Sequence, residues 1–417
     1  MAFGFYLSLT LLLSVWTTAK CHVIPNGVLH MECRDRYFMI AVDLFYTGNE
    51  PSFEAVDETG VYPITKQYAA KCGYSVGVFP ALEHVELRAS YFSCHADNKE
   101  DEVFTFNFNL IVTHKGKRVT YALNKTCSPS LPWSPREVTC EVNYMEVSVR
   151  SDVTCPIGTK KGDWDAVVKT AYASATADWQ VMFQQQQQEL LPISLKTAKT
   201  HGYVFDLTNG RLVFRTPYGQ PDSYNTEVNG VPVEVVHATL FSRQSWVLVM
   251  VDLVAACSMY KGSYDNSGYI MWETPVVLHP LVSGHNRMQV NIGVNGELVE
   301  QSVAEKRGYI VKQHNSTVEI SIPYKAEGGY RKSIASGNLY IFHLYLEQIS
   351  LDGDHVNTRL RVHRTLATPL LPRPVFTANR TVSKSAHSLS ISTVPEDVVL
   401  AAFHLNGQEF KVLKIQA

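Results

Sequence analysis

Phe104-Thr105-Phe106-Asn107-Phe108-Asn109-Leu110-Ile111-Val112 decides the fold class. Phe104, Phe106, Phe108, Leu110 and Val112 recur at every second position, and successive strand side chains point to opposite faces, so all five share one face. A segment with one apolar and one polar face is a half-buried β-strand. The same alternation returns at Val318, Ile320 and Ile322, at Leu360 and Val362 between Arg359, Arg361 and His363, and at Leu389 and Ile391 between serines. Helical spacing is scarce; residues 166–183 are the one stretch that suggests it. The chain is expected to be all-β.

An internal repeat sets the size of the folding unit. Ala198, Gly202, Tyr203, Asn209, Pro217, Tyr218, Tyr224, His237 and Leu240 return 106 positions later, without a gap, as Ala304, Gly308, Tyr309, Asn315, Pro323, Tyr324, Tyr330, His343 and Leu346. Average residue usage gives roughly two or three matches by chance over such a window. A period near one domain length predicts a string of similar modules and not one large catalytic body.

Residues 7–16 form an apolar core followed by Thr17-Thr18-Ala19, small residues of the kind signal peptidase cleaves after, so residues 1–19 read as a leader and the product as secreted. No later segment has the length and apolarity of a membrane span. With 37 basic and 39 acidic side chains the formal charge is -2, and no Lys/Arg block offers a surface for nucleic acid. Eight cysteines in an oxidising compartment point to disulfides before thiol chemistry or zinc.

Proline clusters at 128–135, at Thr274-Pro275 with Pro280, and at Thr368-Pro369 with Pro374 are expected to separate the modules, because proline cannot donate to a sheet ladder. The expected division is a first sandwich at 20–127, a linker at 128–139, a second at 140–273, a linker at 274–280, a third at 281–367 and a linker at 368–374. Residues 375–417 would be a partial fourth copy, too short to close a core. The glutamine run 184–188 reads as a low-complexity loop insertion.

Cys33, Cys72, Cys94 and Cys127 follow one another at intervals of 39, 22 and 33. That spacing resembles the amino-terminal half-module of zona pellucida (ZP) domain proteins, an immunoglobulin-like sandwich called ZP-N. The resemblance implies bridges Cys33 to Cys127 and Cys72 to Cys94, and it places Phe104 where that family often carries a tyrosine. Asn143-Tyr144-Met145-Glu146-Val147-Ser148-Val149, Thr216-Pro217-Tyr218-Gly219 and the repeat itself are similar to the tandem amino-terminal repeats of egg-coat glycoproteins, most like the AX type of fishes and other non-mammalian vertebrates. Gly73-Tyr74 and Tyr91 echo Gly202-Tyr203 and Tyr218, so all units read as one domain type. Closing the 33 to 127 loop would remove about 4 to 5 kcal/mol of unfolded-state freedom on the chain-entropy model. Cys21, Cys140, Cys155 and Cys257 permit three pairings. Cys155 with Cys257 and Cys21 with Cys140 is the favoured one.

Apparent active sites have plainer readings. Gly73-Tyr74-Ser75-Val76-Gly77 matches a nucleophile-elbow pattern, but that chemistry needs a strand-to-helix turn in an α/β sheet. Cys94-His95 suggests a thiolate and base, yet Cys94 has a disulfide partner in the resemblance. Asp352-Gly353-Asp354 reads as a hairpin turn and not a calcium loop. No cofactor and no HExxH or CxxC metal spacing is indicated. His237 and His343 are expected to be hydrogen-bonded core residues, and Tyr218, Tyr224, Tyr324 and Tyr330 to cap or corner the sandwiches. Asn124, Asn315 and Asn379 head glycosylation sequons.

The resemblance implies a non-enzymatic component of the vertebrate egg coat, in the extracellular matrix around the egg. Its partners would be other egg-coat ZP glycoproteins and a sperm surface protein. From the residues alone the expectation is broader: secreted tandem sandwiches suited to protein recognition, including an immunoglobulin-like adhesion protein unrelated to eggs.

Overall fold

A computed structural model describes residues 24–48, 51–79, 83–114, 116–151, 161–173, 179–185, 188–189, 191–208, 210–243, 248–265, 268–276, 287–294, 296–334, 337–353, 355–372, 402–405 and 408–411. The fold is all-β, a tandem array of immunoglobulin-like sandwiches. Those of the described residues that lie before Pro372 form one compact unit.

The first sandwich runs through β1 (Leu29–Cys33), β2 (Tyr37–Asp43), β3 (Ser52–Asp57), β4 (Gly60–Pro63), β5 (Tyr74–Phe79), β6 (His84–Ser90), β7 (Asp97–Lys99), β8 (Val103–His114) and β9 (Lys117–Cys127). One sheet has the order β1-β2-β6-β5; the other has β4-β3-β8-β7 with β9 on the far edge of β8. Phe104, Phe106, Phe108, Leu110 and Val112 of β8 are all 3% exposed or less and fill the space between the sheets. Two short helices complete the unit, α1 (Leu44–Thr47) and α2 (Lys66–Cys72).

The second sandwich contains β10 (Arg136–Cys140), β11 (Tyr144–Arg150), β12 (Gln180–Gln185), β13 (Gln188–Glu189), β14 (Ile193–Ser194), β15 (Val204–Leu207), β16 (Arg211–Pro217), β17 (Tyr224–Val228), β18 (Val231–Arg243) and β19 (Leu248–Ser258), with helices α3 (Lys161–Ala173) and α4 (Leu195–Thr200). The third contains β20 (Ser263–Tyr264), β21 (Tyr269–Pro275), β22 (Arg287–Val294), β23 (Glu297–Glu300), β24 (Ile310–Gln313), β25 (Thr317–Pro323), β26 (Tyr330–Ile334), β27 (Gly337–Asp352) and β28 (His355–Ala367), with helix α5 (Gln301–Lys306).

The strand order is the same three times. β1-β2-β6-β5 recurs as β10-β11-β16-β15 and as β20-β21-β25-β24. In the facing sheets, β9 on β8 recurs as β19 on β18 and β28 on β27. A short helix precedes β5, β15 and β24 in turn. Ala198 and Ala304 are fully buried on α4 and α5, and Tyr203 and Tyr309 donate their amides back to the carbonyls of those alanines. The chain turns there through Gly202 and Gly308, at φ +97° and +100°, a conformation that costs any residue with a Cβ.

Several sequence expectations need correction. Pro275 ends β21, which pairs with β25, so Thr274 and Pro275 belong to a strand of the third sandwich, while 277–280 lie outside the described residues; the passage between second and third lies at 259–262. The proline-rich stretch 128–135 is mostly exposed but is anchored at its end, with Ser134 buried and Trp133 Nε1 donating to the Asp101 carbonyl at 2.7 Å, and β10 begins at Arg136, inside the expected linker. Helix occurs at 161–173, but 180–185 is strand, because Val181 and Phe183 alternate into the core. Gln184 and Gln185 belong to that strand and pair with Glu189 and Gln188, so the glutamine run forms part of a hairpin. Leu389 and Ile391 lie outside the described residues. Beyond residue 372 the described residues are a hairpin of Ala402–Leu405 with Gln408–Lys411.

Among the described residues the disulfides are Cys33–Cys127, Cys72–Cys94 and Cys140–Cys257. Cys257 is therefore not joined to Cys155, nor Cys140 to Cys21. Cys140 ends the first strand of its unit and Cys257 lies in the last, the positions that Cys33 and Cys127 hold in the first unit, so one inter-sheet bridge occurs twice. Cys21 and Cys155 lie outside the described residues.

Candidate interaction site

Three sandwiches meet where their charged strands face one another. β10 of the second unit pairs in parallel with β28 of the third, from Arg136↔Thr358 to Cys140↔Val362, so one continuous sheet crosses both units. β28 alternates. Leu360 and Val362 enter the core, while Arg361 and His363 point outward and are nonetheless 1% and 7% exposed. The first unit covers them.

The seam is built from arginine and carboxylate. Arg36, in the β1–β2 turn, grips Glu137 of β10 with two bonds of 2.6 and 2.8 Å, and Arg361 reaches the same carboxylate at 2.8 Å. Arg361 also contacts Asp35 at 2.9 Å and Glu347 at 2.8 Å, and the Arg36 guanidinium lies 4.2 Å over the Trp133 ring. Burial opposes ionisation of Glu137, but Arg361 and Arg36 outweigh it and hold the carboxyl at about 2. Nearby, Arg88 of β6 binds Glu141 at 2.9 and 2.8 Å. Burial again opposes charge on Glu141, and Arg88 followed by His363 brings it down to about 2.

A third pair lies within the second unit and bonds the first through both partners, Glu146 accepting from the Ser90 hydroxyl at 2.7 Å. Arg215 of β16, 1% exposed, bonds Glu146 at 2.8 Å and donates to the Phe92 carbonyl at 2.6 Å. Gly73 is required there. Its φ is +79°, and a Cβ would come within 2.7 Å of the Arg215 guanidinium carbon. Buried pairs of this kind add little net stability, since desolvation offsets attraction, but breaking one strands a charge. They fix orientation.

Between the first and third units lies a small cleft of about 80 Å³, bordered by Arg34, Tyr37, Glu86, His343, Tyr345 and Arg364. His363 is stacked on Tyr345 at 4.2 Å and lies 3.7 Å from Glu141. Burial pulls its pKa down to about 4, more than Glu141 can restore, so the ring is neutral at pH 7.

The residues singled out from sequence fall into distinct roles. Tyr218 donates its hydroxyl to the Glu141 carbonyl and Tyr324 to the Asp265 carbonyl, each at 2.9 Å, and Tyr91 does the same to Arg34. In each unit that bond ties the third strand of the first sheet, or the residue after it, to the turn after the first strand. Tyr224 and Tyr330 differ: they open the edge strands β17 and β26, half-buried, and corner nothing. Pro217 and Pro323 end β16 and β25. His237 and His343 are not core residues. Their neighbours Val236, Ala238, Phe342 and Leu344 enter the core, which turns both rings outward, His237 to 3.6 Å from Asp252 and His343 against Phe79 of the first unit.

The nucleophile candidates are occupied. Ser75 is 2% exposed on β5 and accepts from Arg88 at 3.3 Å. Cys94 is in a disulfide, and His95 is held by Asp57 at 2.6 Å and by the Tyr68 hydroxyl, beneath the Tyr62 ring at 4.1 Å. Gly353 turns β27 into β28 at φ +60°. Among the described residues no group of three or more His, Cys, Asp or Glu could hold a metal ion, and no helix is long and apolar enough to cross a membrane. Asn124 and Asn315 are exposed, on β9 and at the β24–β25 tip; Asn379 lies outside the described residues.

No family model and no curated protein matches the chain. Among solved structures it is similar to zebrafish RET cadherin-like domains 1 to 4, at 6% identity and a TM-score of 0.17, covering 78% of this chain and 66% of that one, slightly under two thirds. It is also similar to an ICAM-5 D1–D4 ectodomain fragment, at 10% identity and a TM-score of 0.14, covering 82% and 75%. A third is the collagen-binding domain of Erysipelothrix rhusiopathiae surface protein RspB, at 11% identity and a TM-score of 0.11, covering 66% and 94%. The superpositions are poor, so the fold rests on the strand order of the chain itself.

Sequence reasoning missed the junction. Arg359, Arg361 and His363 were legible as the outward face of a strand, yet alternation cannot say whether another unit covers that face. The available signal was charge placed inside strands, with Glu137 on β10, Glu146 on β11, and Arg211 and Arg215 on β16, which pairs with β11.

Proposed function

We propose that this protein works by binding, as an extracellular adhesion or recognition protein whose three sandwiches act as one body. The observation that supports this most is the thrice-repeated strand order held in fixed orientation by buried Arg–Glu pairs. Such a frame presents loops and strand edges at constant spacing, which is what recognition of a macromolecule needs and what small-molecule chemistry does not. The division into units at 24–127, 136–258 and 263–371 belongs to this reading, as does secretion by the 1–19 leader.

The narrower form is a ZP-N-type component of the vertebrate egg coat, contacting other coat glycoproteins or the sperm surface and carrying glycans at Asn124, Asn315 and Asn379. The nested cysteine spacing of the first unit and its resemblance to egg-coat repeats support it. Antibody localisation tests both forms. Enrichment in the isolated egg envelope supports the narrower one, enrichment on other cell surfaces or matrices supports only the broader one, and retention inside the cell that makes it overturns both.

A further inference from the structure

The strand β5 closes one edge of the first sheet, and its counterparts are β15 and β24. Those two are four residues long, and each exposes a charge, Asp206 on β15 and Lys312 on β24. Short length and a charged side chain are the usual guards against strand addition. β5 has neither. It is six residues, Tyr74-Ser75-Val76-Gly77-Val78-Phe79, with no charge, and Val76 and Val78 are 38% and 46% exposed.

The register fixes which peptide groups face outward. Ser90 donates its amide to the Gly73 carbonyl at 2.9 Å, and β5 runs antiparallel to β6 from Tyr74↔Ala89 to Phe79↔His84. Odd-numbered residues therefore bond β6, and the peptide groups of 74, 76 and 78 point to the open edge. The Tyr74 carbonyl is taken by Asn143 at 2.8 Å. Those of Val76 and Val78 face no strand among the described residues.

We propose that this edge pairs with the same edge of a second copy of the chain, antiparallel about a two-fold axis at Gly77. Val76 of one copy then exchanges both backbone bonds with Val78 of the other, and the reverse, while glycine faces glycine where the two backbones are in register. An isologous contact must be self-complementary. An uncharged edge with valines at equal steps either side of a glycine is so, and the charged edges of β15 and β24 would oppose like charges in the same arrangement. The contact is small, so association is weak and concentration-dependent, and it is insensitive to salt because no charge takes part.

Sedimentation velocity over a dilution series in the micromolar range tests this. The wild-type chain is expected to rise toward twice its own mass with concentration, equally at low and high salt. V76K/V78K is expected to stay at one mass, and the uncharged V76T/V78T to associate like wild type. A wild-type chain of constant mass, or V76K/V78K associating as strongly as wild type, overturns the proposal. Should V76K/V78K not fold, amide exchange in the wild type decides: exchange at Val76 and Val78 slows with concentration, or it is constant and the proposal fails.

Discussion

The two seams of the molecule are made differently. Between the second and third sandwiches the join is a backbone ladder, β10 on β28, with the sheet carried through. The first sandwich is held by side chains, by Arg36 and Asp35 on one turn and Arg88 on β6, against Glu137, Glu141 and Arg361. A ladder tolerates many sequences because every residue supplies the same donor and acceptor. A seam of buried charges accepts only the partner that neutralises it, so it fixes the pose of the first unit and is sensitive to pH and to single substitutions.

The largest effect should come from the bridges inside the units, which both seams presuppose. Replacing Cys140 and Cys257 by serine opens a loop of 117 residues and is expected to cost about 5 kcal/mol on the chain-entropy model, measured by denaturant unfolding under non-reducing conditions. A loss no greater than for an exposed serine substitution would show that this bridge does not hold the second unit. Next, Arg361→Met leaves Glu137 and Glu347 short of a cation in a dry seam, and about 3 to 5 kcal/mol should be lost. If the seam were solvated the change would fall within the range of a surface pair.

Acid should separate the seams further. His363 has its pKa lowered in the folded state, so it binds fewer protons there than when unfolded. Its contribution is complete above its ordinary value near 6.5 and is lost as pH falls toward about 4. Glu137 and Glu141, held at about 2, lose theirs only as pH falls from about 4.5 toward 2. Between pH 7.5 and 5 His363 should contribute a loss on the order of 2 kcal/mol, and His363→Gln should make that part of the curve shallower, leaving the share of His343, which burial also lowers to about 4. An equally steep curve in the variant would place the titration elsewhere. The smallest effect belongs to Tyr218→Phe and Tyr324→Phe, each expected to cost about 1 kcal/mol for one hydrogen bond to a turn carbonyl. Unequal losses, read from thermal midpoints, would mean that the two corners are not equivalent.

The interior of each unit was largely legible in the sequence. Alternation in 104–112 and 318–322 marks strands whose apolar face enters the core, and the 106-residue repeat reports a helix, a left-handed glycine and a tyrosine corner copied together. What lies between units was not. Thr274-Pro275 resembled a linker because proline ends a strand and a domain in the same way. Cys140 was misassigned because 128–139 read as a linker, which hid the strand Arg136–Cys140 that Cys140 ends. The junction arginines occupy polar positions by period, and only the docking of a neighbouring sandwich converts that face from wet to dry.

A double-mutant cycle between Arg36 and Glu137, using Arg36→Met and Glu137→Gln, measures the central feature most directly, since the two residues belong to different sandwiches and touch only if those are docked. A coupling of about 1.5 kcal/mol or more is the result that three sandwiches locked as one body require. Additive losses, with no coupling, would mean that the first sandwich does not sit on the other two.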